Sequence, residues 1–180
     1  MTHSKGGVAH HWLDEALTEK LTTILDGFDP EEAGFVIYED EQDTVDCLVQ
    51  NAPKKLTYYD ISEHYIGEDK KENEERLMQL FKRAYDGYDI LGTAIQIGEA
   101  VAPGQVMNGT EKNTRMVRAI NAAVTKVLVP TIKEAVERNF SPVAMAKQLT
   151  EFAHQLDNAT ERLIYTQCAS MFSAKEDITV

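Results

Sequence analysis

The chain has 180 residues, 30 of them acidic and 18 basic, for a formal charge of −12 with its five histidines neutral. A hydrophobic content of 43%, with 10 Gly and 5 Pro, excludes a disordered, collagenous or linker-like chain and suits one domain, or a domain with an appendage. No run approaches the roughly 18 apolar residues of a membrane span. The first eleven residues lack the apolar core of a secretory signal, and two cysteines, Cys47 and Cys168, suit a reducing compartment, so the expected location is cytoplasmic.

The charge is unevenly spread. Residues 1–75 hold 19 acids and 6 bases (−13), whereas residues 76–180 hold 11 and 12 (+1). Nine acids and no Lys or Arg lie between Asp26 and Asp46. A field of that sign repels phosphate and anionic lipid, which excludes direct nucleic-acid or membrane binding through this end.

In chain order, residues 10–26 predict an amphipathic helix with Trp12, Leu13, Ala16, Leu17, Leu21, Ile24 and Leu25 on one face. Asp29-Pro-Glu-Glu32 predicts a capped turn closed by Gly34. Phe35–Tyr38 and Thr44–Val49 are β-rich runs around Glu39-Asp-Glu-Gln-Asp43, the pattern of a hairpin with an acidic loop, and Leu56–Ile61 suggests either a third short strand or the start of a loop. From about Glu72 the spacing changes. Leu77, Phe81, Ala84, Tyr88, Leu91, Ile95, Gly98 and Ala102 alternate steps of four and three, the seam of a coiled coil or bundle helix. A second helix starts near Thr110 with Val117, Ile120, Val124, Val127 and Leu128, and Pro130 should kink or split it. Ser141-Pro142 caps a third, carrying Met145, Leu149, Phe152, Leu156, Ala159 and Leu163. The expected fold is therefore mostly α within an α+β class: an N-terminal helix and small antiparallel hairpin (1–70), then a bundle of three long antiparallel helices (71–180). Their wide apolar stripes favour a homo-oligomer.

Chemistry-bearing patterns are sparse. Glu151 and His154 have the spacing of two metal ligands on one helix face, but a bundle metal centre needs a second such pair. Residues 29–40 resemble a calcium loop at acids one, three and twelve, yet Ala33 and Pro30 occupy positions that should ligate or turn. Neither cysteine has a partner at ligand spacing, and no nucleophile elbow or phosphate-cradling loop is present, so no metal or cofactor is expected. Lys112, Arg115 and Arg118 follow Gly109-Thr110 at a helix start, where an anion is favoured, although steps of three fan them over an arc. Gly87, Gly92 and Gly98 within one helical pattern call for close packing.

The function expected from these features is non-enzymatic: an inhibitor or adaptor whose acidic surface, Glu39, Asp40, Glu41, Asp43 and Asp46, binds a basic partner protein. One alternative is a binder of an anionic, nucleotide-like molecule through Lys112, Arg115 and Arg118. Another is a metal-binding bundle through Glu151 and His154.

Overall fold

The computed structural model describes residues 17, 21, 39–64, 70–102 and 110–177. Among them every regular element is helical: eight α-helices and one π segment, with no strand. The expected α+β class is thereby corrected to all-α. Leu17 and Leu21 are both helical and Leu17 is fully buried, as the N-terminal pattern requires. The rest of that helix, the 29–34 turn and the Phe35–Tyr38 strand lie outside the described residues.

The hairpin is replaced by helix α1 (Glu39–Gln50). Its acids fill the first turns, where unpaired N–H groups and the helix dipole favour negative charge. Thr44, Val45 and Leu48 share its buried face at helical spacing. The third strand is also a helix, α2 (Tyr58–His64). Here Thr57 and Asp60 form a reciprocal cap. The Thr57 hydroxyl and backbone N–H donate to the Asp60 carboxylate (2.8 and 3.0 Å), and the Asp60 N–H donates back to the Thr57 hydroxyl (3.1 Å).

Of the three long helices, the first and third are divided and the second runs on through a widened turn. The first becomes α3 (Lys70–Ala84) and α4 (Ile90–Val101). At the end of α3, Gly87 N–H donates to the Lys82 carbonyl (2.9 Å) and Asp86 N–H to that of Arg83 (3.3 Å), a Schellman turn with Asp86 left-handed at φ 56°. Asp89 then caps α4 by accepting from Gly92 N–H at 3.1 Å. At 15 residues α3 spans about 22 Å, half the length expected for the unbroken helix. The four-three seam survives the break, and all eight of its residues are buried.

The second runs as α5 (Thr110–Ala123), a π segment (Val124–Leu128) and α6 (Val129–Glu137). Pro130 has no N–H and its ring crowds the carbonyl four residues back. The chain absorbs this by widening one turn, in which Val129 N–H reaches the Val124 carbonyl, five residues back. The helix is neither terminated nor split. The third is α7 (Pro142–His154) and α8 (Ala159–Ser173), capped by Ser141 and by Asn158, which accepts from Glu161 N–H at 3.0 Å. That second cap resets the helical phase. Phe152 and Ala159 of the expected seam are exposed, and α8 instead buries Ile164, Cys168, Ala169, Met171 and Phe172.

The core gathers Leu17, the inner face of α1, and the seams of α3 to α6 and α8. Gly98 marks the closest helix approach. A Cβ there would lie 2.6 Å from Ile120 Cδ1 and 3.0 Å from Met116 Cγ, so α4 and α5 pack backbone to side chain. Helix α7 packs extensively on α8 alone.

Candidate functional site: the acidic helix and its supports

Three buried or half-buried polar contacts fix α1. The Asn121 amide of α5 donates to Thr44 Oγ1 (2.9 Å) and to the Asp40 carbonyl (3.2 Å). The Tyr85 hydroxyl, buried at the turn after α3, donates to the Leu48 carbonyl at 2.5 Å. The Tyr58 hydroxyl of α2 donates to the Asp46 carboxylate. Burial, reinforced by that carboxylate, pushes the Tyr58 phenol far above its ordinary range, so it remains a donor at every physiological pH. Helix α1 is therefore held by three neighbouring side chains, and Asp43 and Gln50 are its exposed residues among those described.

The five expected partner-binding residues do not share one environment. Asp43 is exposed, Asp40 and Glu41 are half-exposed at the helix start, and Asp46 is committed to Tyr58. Glu39 opens the helix. A carboxylate bound to an internal hydroxyl contributes less to an outside partner, so the presented charge centres on Asp40 and Asp43.

Arg115 and Arg118 lie exposed on α5, and Lys112 belongs to the same helix. The expected anion site would need these cations to converge on one ligand, but the two arginines project from a convex helix surface. Glu151 and His154 are both exposed on α7, and no group of three or more His, Cys, Asp or Glu among the described residues can hold a metal ion. The calcium-like segment 29–40 is outside the described residues except for Asp40, which is helical.

Sequence reasoning missed two polar clusters. One is a groove of about 490 Å³ between α2 and α3, lined by His64, Glu72, Glu75, Arg76, Gln79 and Arg83. His64 Nδ1 lies 2.8 Å from the Asp60 carbonyl and so carries the proton there, while Arg76 pairs with Glu72 at 2.8 Å. The other cluster is at Asp86, whose carboxylate lies 3.5 Å from Lys54 and 3.6 Å from Lys175. Lys82 pairs with Glu176 at 2.8 Å, and Glu176 N–H donates to the Gly87 carbonyl at 3.1 Å. These contacts staple the end of the chain to the α3–α4 turn. Only the Asp86-Gly87 dipeptide, a turn signal, could have marked that place in advance.

The cysteines are poor nucleophiles. Burial pushes the Cys168 thiol up to about 12 against the opposing Thr131 contact, and burial raises Cys47 despite the Asn51 amide. No helix among the described residues is long and apolar enough to cross a membrane. No protein-family model, no curated protein and no solved structure matches the chain.

Proposed function

We propose that this chain is a non-enzymatic interaction module that presents helix α1 to a basic surface of another protein. One observation carries the reading: α1 bears Glu39, Asp40, Glu41, Asp43 and Asp46 with no Lys or Arg, Asn121 and Tyr85 fix it to the core, and Asp43 is exposed. A pre-formed helix spares a binder the ordering cost that an acidic loop would carry on association. Opposite charge then speeds encounter and sets orientation. The −13 balance of residues 1–75 supplies a long-range field of the same sign.

The test is affinity capture from the native source at about 0.15 M and about 1 M salt, where the screening length falls from about 8 Å to about 3 Å. The wild-type chain should recover the same protein repeatedly at the lower salt and lose it at the higher. Asp40→Lys with Asp43→Lys should lose it at both. Recovery that is indifferent to salt, or intact in the double variant, would sink the reading.

A further inference from the structure

The long helix beside α1 has the opposite character. From Lys112 to Lys133 it contains five Lys or Arg and no Asp or Glu. Arg115, Arg118, Lys126 and Lys133 are exposed, and none forms an ion pair among the described residues. At helical spacing, positions 115, 118, 122 and 126 share the face turned away from the core, because Met116, Val117, Ile120, Ala123, Val124 and Val127 are buried on the other. Ala122 sits among the cations and leaves room for another helix to come close. Helix α1 lies against this one through Asn121, so the acidic face and the cationic face adjoin on one side of the molecule.

We infer that this adjoining pair is a self-docking surface, in which the cationic face of α5 receives Asp40 and Asp43 of a second copy of the chain while the second copy returns the same contact. A surface with acid on one helix and base on its neighbour is complementary to its own image under a two-fold axis running between the two helices. The two reciprocal contacts form together, each closing charges that neither copy satisfies internally. Net repulsion between two −12 molecules works against assembly. At physiological salt, however, charges beyond about 8 Å are largely screened, whereas pairs in contact are not. The same net charge disfavours a polyphosphate on this face, since it would have to approach through the field of the acidic half. The inference shares the accessible acidic helix with the proposed function but needs no foreign partner. A monomer that still captures a basic protein would overturn it alone, and a salt-sensitive dimer that captures nothing would overturn only the other.

Sedimentation velocity on the full chain tests it. The wild type should be dimeric at about 0.15 M salt and monomeric at about 1 M. Arg115→Glu with Arg118→Glu should weaken self-association by about tenfold or more, and so should Asp40→Lys with Asp43→Lys. Mixed in equal amounts, these two variants should form a heterodimer. One then offers acid on both helices and the other base on both, so each contact is again between opposite charges. Recovery in the mixture cannot come from misfolded chains. A wild type that stays monomeric at about 0.15 M, a dimer that persists through both reversals, or a mixture that stays monomeric would each overturn the inference. A short DNA duplex that binds wild type through Arg115 and Arg118 without changing its self-association would instead assign the face to nucleic acid and overturn it equally.

Discussion

Helices α3 and α6 end in the same hydrogen-bonded turn, each with a non-glycine residue in the left-handed region, but the two turns sit in opposite surroundings. Asp86 (φ 56°) is held between Lys54 and Lys175, beside the buried rings of Tyr85 and Tyr88. Asn139 (φ 53°) ends α6 in an exposed stretch before the α7–α8 hairpin, where Phe140 N–H reaches the Ala135 carbonyl at 2.9 Å. One turn closes the centre of the molecule, and the other opens onto an arm that touches the rest mainly through α8. A left-handed non-glycine residue is thus matched by tertiary ion pairs in one place and left as local strain in the other.

The largest effects should separate centre from arm. Phe81, fully buried in α3, stands in the central core, and Phe81→Ala should cost about 3–5 kcal/mol in urea unfolding. Leu149 is buried on α7, the helix that packs chiefly on α8. Leu149→Ala should cost about 2 kcal/mol, and in amide exchange it should loosen α7 while leaving α4 and α5 protected. Equal loss of protection in both regions would show that arm and centre unfold as one unit.

The turns themselves give a smaller and signed contrast. Asn139→Gly relieves an exposed left-handed residue, and should stabilise by roughly 0.5 kcal/mol. Asp86→Gly relieves the same strain but leaves two lysines without their carboxylate, which removes about 0.2–1 kcal/mol per pair. Its net effect should be zero or destabilising. If both substitutions stabilise equally in denaturant titrations, the Asp86 ion pairs contribute nothing.

The same contrast shows which parts of the fold the sequence discloses. The four-three seam of residues 77–102 is legible through the Asp86 turn because Tyr88 and Leu91 resume the buried face after it. The seam of the last helix is not, because α7 buries Ala146, Leu149 and Ala153 and leaves Phe152 outward, and the Asn158 cap then starts α8 in a new phase. In α1 the β-rich string Thr44-Val-Asp-Cys-Leu-Val49 outweighed a better signal, four acids (Glu39, Asp40, Glu41 and Asp43) ahead of Val45 and Leu48 at a spacing of three. The Thr57-x-x-Asp60 box announced α2 in the same way. The acidic character of the candidate site was legible from composition. Its division into a presented Asp43 and an internally bonded Asp46 was not, since that depends on Tyr58 twelve residues away.

Thiol reactivity sharpens the contrast from inside. Cys168 lies on the core face of α8 with its thiol raised to about 12, and Cys47 is only half-buried on α1. Alkylation at pH 8 should modify Cys47 slowly and Cys168 only on global unfolding. Cys168 reactivity that rises in Leu149→Ala without loss of the α4 and α5 amides would mean that α8 opens together with the arm.

The smallest effect concerns α2, whose cap is a single carboxylate at the surface. The Thr57 hydroxyl, aided by its backbone N–H and Lys55, holds the Asp60 carboxyl below its ordinary range. The folded state therefore binds this proton less readily than the unfolded one. The contribution is complete above the unfolded carboxylate range and disappears as pH falls through the lowered folded value. Asp60→Asn keeps a capping oxygen and removes the titration, so wild type and variant should converge at acid pH and differ near neutrality by a few tenths of a kcal/mol. A gap that instead widens on acidification would show that the Asp60 carboxylate is not the group whose protonation weakens α2.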